Sequence, residues 1–324
     1  METIFSTKGV HPRDRFDYWH STACKQIIEH AGIPEQRSTF EAEIQASRFG
    51  NLELVQFSVS PIQVFHTPEH VRRTPSDDLF LCYQSSGSVF VVQNGREVRL
   101  EARNLILIDP LLPYECRFSQ GSTTLVIKAP RRELRARLGR NRELTGRRVT
   151  ADHVDDELAI SLAAKLPLLA GKTASITEEM VESHALDLLG LAIARTSESS
   201  SVRISTTKAL SLARLRSVVE ARLTNPDLDP QTVADAVGIS VRYANDLLSA
   251  QDTSLNRFIL ARRLARCRYA LEDPNQAFRT VTDIAQAWGF SDMTHFGRRF
   301  KEAFGVLPSE YQKLGARSAQ GGQF

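Results

Sequence analysis

Ile284-Ala285-Gln286-Ala287-Trp288-Gly289-Phe290-Ser291-Asp292, followed by His295-Phe296 and Arg298-Arg299-Phe300-Lys301, decides the fold of the C-terminal third of this 324-residue chain. The stretch reads as a helix-turn-helix elbow. Ile284, Ala285 and Trp288 form the inner face of a first helix, and Ala285 is small where the next helix crosses it. Gly289 stops that helix, because a left-handed backbone costs glycine little. Phe290 plugs the space between the helices, and Ser291 caps the second one. Phe296 and Phe300 then face inward, which leaves Thr294, His295, Arg298 and Arg299 outward.

The same phrase occurs upstream as Ala234…Gly238-Ile239-Ser240, with Ala234 and Ala285 51 residues apart. Asp229-Pro230 is a helix start, an Asp N-cap before Pro at the first helical position. Ile239 is the plug and Ser240 the cap. Ala244, Leu247 and Leu248 face inward on the following helix, and Arg242, Tyr243, Asn245 and Asp246 lie on or near its outer face. The turn after Gly289 is one residue longer than the turn after Gly238, so the two copies differ. Leu255–Leu271 between them is one helical pattern, packed through Phe258, Ile259, Leu264 and Ala265 and carrying Arg262, Arg263, Arg266 and Arg268. Two readers joined by such a helix and entering one face of DNA sit about one helical turn apart, roughly 34 Å.

Charge agrees with that reading. Residues 1–207 carry 25 Lys and Arg against 26 Asp and Glu, whereas residues 208–324 carry 16 against 12. The positive excess therefore sits with the two elbows.

At these residues the chain resembles the AraC/XylS family of bacterial transcription regulators. The motif from Ile284 to Asp292, with His295-Phe296, Phe304-Gly305 and Pro308-Ser309-Glu310-Tyr311 behind it, carries the likeness across residues 210–314. The resemblance implies double-stranded DNA as a partner, a homodimer, contact with RNA polymerase and activation of transcription. It assigns Arg298 and Arg299 to guanine or phosphate, and Thr294 and His295 to base edges. Asn245 would pair with adenine, Asp246 would accept from cytosine or orient Arg242, and Arg262 and Arg263 would serve structure or the DNA backbone.

Residues 40–128 read as β-rich. Phe49–Val59 alternates as a strand, and strands follow at Leu79–Gln84, Ser88–Gln93, Arg96–Leu100, Asn104–Ile108, Tyr114–Phe118 and Ser122–Lys128. Asn94-Gly95 between two of them signals a tight hairpin. Many short strands with regular turns predict a small barrel or sandwich. Helices follow at Arg131–Leu138, Asp155–Leu169 and Ile176–Ala194. The last two carry apolar stripes, Leu158-Leu162-Leu166-Leu169 and Met180-Leu186-Leu189-Ile193, which pack either on their own barrel or against a second copy. The Ser/Thr-rich stretch near Thr196–Thr207 reads as a linker, and Ser318–Phe324 as a frayed tail. The expected organisation is α+β: a cupin-like β-barrel with helices over 1–195, a linker over 196–209, and an all-α double helix-turn-helix domain over 210–316.

Phe16-Asp17-Tyr18-Trp19, Gln93-Asn94-Gly95-Arg96-Glu97 and Asp109-Pro110…Pro113-Tyr114 resemble the cupin-like sensor domain of a subset of the same family. That resemblance implies a small organic effector, of an aromatic or carbon-source type. Arg73, Phe80, Tyr83, Phe90 and Tyr114 are the candidate effector contacts, with Arg73 pairing either with a carboxylate effector or with Asp77 or Asp78. A cupin metal enzyme would need a converging histidine set. His66 and His70 have no histidine after them before His153, so no metal or other cofactor is expected, and His66 reads as a surface or strand-end residue. Cys24, Cys82, Cys116 and Cys267 form no CxxC pair and read as reduced structural thiols with no metal-spaced histidine beside them. No run approaches the roughly 20 apolar residues of a membrane span, and no signal peptide is evident, so a cytoplasmic protein is expected. Two rivals remain: a barrel enzyme with a DNA-binding tail, and a regulator whose barrel only dimerises.

Overall fold

The computed structural model describes residues 1–73, 77–138, 144–196, 200–249, 253–273, 276 and 278–313, with 200–209 taken for their backbone alone. The chain divides into two compact units, Met1–Ala209 and Leu210–Phe324. No helix among the described residues is long and apolar enough to cross a membrane.

The first unit is built on two antiparallel sheets. The larger runs in the order β1 (Glu2–Ser6), β3 (Ala42–Phe49), β4 (Leu52–Val59), β11 (Ser122–Pro130), β6 (Asp78–Ser86), β9 (Leu105–Ile108), β12 (Arg148–Val149). The smaller runs β2 (Ala31–Pro34), β5 (Ile62–His66), β10 (Tyr114–Phe118), β7 (Val89–Gln93), β8 (Arg96–Leu100). Asn94 and Gly95 connect β7 to β8 with φ of 55° and 72°, and Gln93 pairs with Arg96. Positive φ at both central residues is what a two-residue hairpin demands, and Asn-Gly supplies it cheaply. The expected single strand over Phe49–Val59 is instead a turn and one strand. Phe49 pairs with Leu52 across Gly50-Asn51, so β3 and β4 form a hairpin.

The sheets face one another across a core that includes Ile44, Phe57, Val64, Val91 and Val126. Helix α1 (Arg15–Gln26) adds Phe16, Trp19 and Ala23 to the same core. The outer face of the larger sheet is covered by α3 (Arg131–Leu138), α4 (Val154–Leu169) and α5 (Ser175–Arg195), through Leu81, Ile127, Leu134, Ile160 and Leu189. Burial on both faces explains why every residue of β9 is buried rather than every second one. The short helix α2 (Pro68–Arg73) lies between β5 and β6 in the chain.

The apolar helices therefore spend their faces on their own sheet. The α4 stripe is shifted from the one expected: Ala159, Ile160, Ala163 and Leu166 are buried, while Leu158 is 55% exposed. On α5, Leu186, Leu189 and Ile193 are buried as expected, and Met180 is exposed. A buried ion pair, Arg137 Nε to Asp187 at 2.6 Å, ties α3 to α5. Arg137 Nη1 also donates to Glu133 at 3.0 Å, so the buried guanidinium is held by carboxylates of both helices.

Helix α6 (Ser200–Arg222) runs through residues expected in the linker. Serine and threonine are only mildly unfavourable inside a helix, so their abundance did not preclude one. The second unit continues with α7 (Pro230–Val237), α8 (Val241–Ser249), α9 (Leu255–Glu272), α10 (Val281–Ala287) and α11 (Met293–Phe304). One cluster joins Leu215 and Val219 of α6 to Val233, Leu248 and Ile259. A second joins Leu264 and Cys267 of α9 to Ile284, Phe290, Phe296 and Phe300. Trp288 packs against both. Residues 251 and 252 of the turn between α8 and α9, and the tail expected to fray, lie outside the described residues.

Candidate nucleic-acid interface and barrel cavity

Helices α7 and α8 form the first elbow. Asp229 accepts from the Thr232 amide at 2.7 Å, and Pro230 occupies the first turn. Gly238 takes a left-handed φ of 77°, and its amide bonds to Asp235 O at 3.1 Å. The Ser240 hydroxyl accepts from the Tyr243 amide at 3.1 Å, which caps α8. Ala244, Leu247 and Leu248 are buried, as the pattern required.

On the outward side, Arg242 and Asp246 are exposed, and Tyr243 is half-buried against the core. Asn245 departs from expectation. It is half-buried, and its Oδ1 accepts from the Leu255 amide at 2.8 Å. That bond satisfies a first-turn amide of α9, which has no intrahelical partner. The oxygen that adenine pairing would use is therefore committed to the scaffold.

Helices α10 and α11 form the second elbow. Thr280 and Asp283 make a reciprocal capping box at the start of α10. Gly289 has φ of 80° and is buried. A Cβ there would lie 2.8 Å from the Arg263 guanidinium and 2.9 Å from Leu223 O, so the position excludes side chains on space as well as on backbone. Asp292, not Ser291, caps α11, accepting from the His295 amide at 2.9 Å. The cap moved one residue because the turn is one residue longer. Phe290, Phe296 and Phe300 form a ladder, with ring centroids 4.8 and 5.6 Å apart in succession.

That ladder fixes what α11 presents outward. Thr294 and Arg298 are exposed, and the Arg298 side chain is 66% accessible with Glu302 only at 4.0 Å. Arg299 is more engaged, donating to His295 Nε2 at 3.3 Å and to Glu302 at 2.9 Å. His295 is half-buried.

Three arginines of α9 belong to the frame. Arg262 and Arg266 both pair with Glu220 of α6. Burial alone would raise the Glu220 carboxyl, but the two guanidinium groups outweigh it and hold it below the ordinary range. Arg263 donates to the carbonyls of Leu223 and Asn225, and burial lowers its pKa. Of the two roles expected for Arg262 and Arg263, these contacts serve the structural one.

The first unit holds a cavity of about 60 Å³ between its two sheets. Trp19, Ala23 and His30 contribute to its wall, with Phe57, Phe80, Ile108, Tyr114 and Phe118. Of the five candidate effector contacts, Phe80 and Tyr114 line it. Tyr83 packs on the opposite face of its sheet, against the helices. Phe90 also points away, with the Arg117 guanidinium 4.6 Å over its ring. Arg73 pairs with Glu69 at 2.6 Å and Glu29 at 3.7 Å, both carboxylates other than those expected. A strand alternates its faces, so the choice between Phe80 and Tyr83 turned on register. His66 is the end residue of β5, one of the two placements expected, but it is buried, its two ring nitrogens 2.8 and 2.9 Å from the carbonyls of Glu29 and Pro110.

Beside the cavity lies a group that the sequence reading missed. His20 and Cys24 stand four residues apart on α1, hence on one face. Among the described residues His20, Cys24 and His30 place donor atoms within 4.8 Å of one another. Sγ of Cys24 is 3.6 Å from His20 Nε2 and 3.8 Å from His30 Nδ1. Burial raises the Cys24 thiol, but hydrogen bonds from His20 and His30 bring it down to about 5. Buried Cys82, with no such partners, is pushed up to about 12 by burial alone. The His-x-x-x-Cys spacing was the available signal.

Residues 19–194 match the AraC-binding-like domain family, and residues 233–314 match a helix-turn-helix domain family. The chain belongs to the AraC family of transcription regulators. Transcriptional activator NphR of Rhodococcus sp is 27% identical over 302 residues, covering 92% of this chain and 89% of that protein. Transcriptional activator RhrA of Rhizobium meliloti (strain 1021) is 30% identical over 105 residues, 32% of this chain and 33% of that protein. The crystal structure of the AraC-like transcriptional activator CuxR superposes with a TM-score of 0.53 at 17% identity, covering 87% of this chain and 99% of that one. This likeness supports the fold: a cupin-like sheet domain followed by a helical region. In AraC-family terms, the DNA-binding part is the unit containing both elbows, and the cavity lies in the AraC-binding-like part.

Proposed function

We propose that this AraC-family regulator activates transcription, binding a specific DNA site through α8 and α11 and responding to a small organic effector held in its barrel cavity. The observation that carries the DNA-binding part is the exposed face of α11. A buried aromatic ladder orients the helix, and Arg298 stands outward with only a distant carboxylate partner. A guanidinium in that state can make bidentate contacts to guanine O6 and N7 in the major groove. Thr294 beside it supplies a hydroxyl for a base edge or a phosphate. Arg242 supplies the exposed cation of the first reader. Activation is supported by the two relatives named as activators, and with it we infer contact with RNA polymerase and a homodimeric form. The domain limits that go with this reading are 1–195 for the effector part, 196–209 for the joining segment and 210–316 for the DNA-binding part.

Selection of bound sequences with the full-length protein tests the reading. Two short blocks about 10 base pairs apart per monomer are expected. A single compact block would mean that only one reader engages. Addition of the effector should change affinity for that site, and a barrel that only dimerises would leave it unchanged.

A further inference from the structure

Helix α1 brings two metal-binding side chains to one face. His20 and Cys24 are four residues apart, the spacing at which one turn of helix offers two ligands to the same ion. His30, which immediately precedes β2, folds back to them. Among the described residues these three are the one group of His, Cys, Asp or Glu whose donor atoms all lie within 4.8 Å of one another.

The distances suit a metal ion better than a hydrogen bond. Sγ of Cys24 lies 3.6 Å from His20 Nε2 and 3.8 Å from His30 Nδ1. A tetrahedral zinc ion, with Zn–S of about 2.3 Å and Zn–N of about 2.0–2.1 Å, holds sulfur and nitrogen about 3.6 Å apart. A thiol has one proton and cannot serve two imidazoles at once. The ring protons are engaged elsewhere. His20 Nε2 is 2.7 Å from the His30 carbonyl and His30 Nδ1 is 2.8 Å from the Ile28 carbonyl, and a carbonyl only accepts.

Binding asks for a modest rearrangement. Each ring proton moves to the other ring nitrogen, which turns a lone pair to the gap, and the thiol gives up its proton. Two hydrogen bonds to carbonyls are lost, a small cost beside a set of metal–ligand bonds. His30 Nε2 is buried with no hydrogen-bond partner, so receiving a proton breaks no bond there.

Donor chemistry narrows the ion. One thiolate and two imidazoles suit zinc and exclude magnesium and calcium, which take oxygen ligands. Three protein ligands leave the fourth tetrahedral position open, whereas a structural zinc site takes four. His20 and Cys24 are half-buried, so an ion and its water reach them from solvent. Helix α1 is already held on the sheets by Phe16, Trp19 and Ala23, so the fold does not depend on the ion.

We propose that His20, Cys24 and His30 form an exchangeable site for a divalent ion of the zinc class, with water in the fourth position. Occupied, the site ties α1 to the start of β2. Of its three residues only His30 lines the barrel cavity, and the site does not rest on the effector reading.

The test uses the full-length protein, reduced and stripped by a chelator, with cobalt(II) as the spectroscopic probe and zinc as its competitor. One cobalt per chain is expected, with a thiolate-to-cobalt charge-transfer band and the intense visible bands of a four-coordinate ion, and zinc should abolish both. Cys24→Ser should remove the charge-transfer band. In competition with a chromophoric chelator, Cys24→Ser and His20→Gln should each weaken zinc binding at least about tenfold, the loss that follows removal of even an outer partner of a metal ligand. Should either variant fail to fold, the stoichiometry and cobalt spectrum of the parent protein still decide. Only the weak bands of six-coordinate cobalt, or a charge-transfer band that survives Cys24→Ser, would overturn the site. Either of those results leaves the effector reading standing.

Discussion

The two helix-turn-helix units share a plan and differ in what stands behind the elbow. At the first, Gly238 is exposed, and a Cβ there would meet nothing within 4 Å. At the second, Gly289 is buried against Arg263 and Leu223 O. The first helix pair closes on aliphatic side chains and spends Asn245 on the start of α9. The second closes on a phenylalanine ladder and keeps Arg298 free of close partners. The same short phrase thus makes a surface turn in one place and a packed joint in the other. The third helix behind it sets the difference.

The largest expected effect separates the two glycines. Gly289→Ala combines a left-handed alanine with a clash against a pinned guanidinium and a backbone oxygen, and should destabilise the unit by about 3 kcal/mol or more. Gly238→Ala carries the backbone cost alone, about 1–2 kcal/mol. Urea unfolding followed at Trp288 in a Trp19→Phe background measures both, and equal losses would refute the packed-joint account.

Arg298→Ala should weaken binding to the selected DNA site by about 1–3 kcal/mol and relax one base position. Arg242→Ala should weaken it by less than that, with base preference intact. Fluorescence anisotropy against the site and its single-base variants tells them apart, and unchanged affinity for Arg298→Ala would sink the assignment. Asn245→Ala should cost about 1 kcal/mol of stability through the lost Leu255 bond. Loss of discrimination at an adenine with stability unchanged would return Asn245 to the reading face.

The smallest effect is acidic. Asp229 caps the first elbow, while Asp283 and Asp292 both cap the second. All three carboxyls are held below their ordinary range, by hydrogen bonds to Thr232, Thr280 and His295 respectively. Their stabilisation is present at neutral pH and lost as pH falls below the ordinary aspartate range and through the depressed values. The Ser240 cap does not titrate. Amide chemical shifts should therefore show the α11 N-terminus fraying in acid while that of α8 stays capped. Simultaneous fraying would contradict the cap assignment.

Much of the DNA-binding part was legible because its signals are local. Gly238 and Gly289 mark stops, Asp229-Pro230 marks a start, and Phe296 with Phe300 marks an inner face. Asp292 was misread as following the cap because one inserted residue shifts it without changing the apolar pattern. In the barrel, Asn94-Gly95 revealed a hairpin, but the cavity contacts were mostly misplaced. Tyr83 and Phe90 differ from Phe80 and Tyr114 only in the sheet face they occupy. Because helices cover the larger sheet's outer face, apolar residues stand on both sides of it, and alternation loses its meaning. His20, Cys24 and His30 were missed because His30 comes from beyond the helix that carries the other two.

By itself the amino-acid sequence determined the family, the repeated elbow, the hairpin at Asn94-Gly95 and the outward placement of Arg298, since each rests on residues within a turn or two of one another. Tertiary structure decided which polar groups are already spent. Asn245 goes to α9, Arg262 to Glu220, Arg73 to Glu69, while Trp19 Nε1 and His30 Nε2 are buried without a hydrogen-bond partner. A hydrogen bond between residues far apart in the chain leaves no periodicity behind. Only the packed fold shows whether a polar side chain is still available to a ligand.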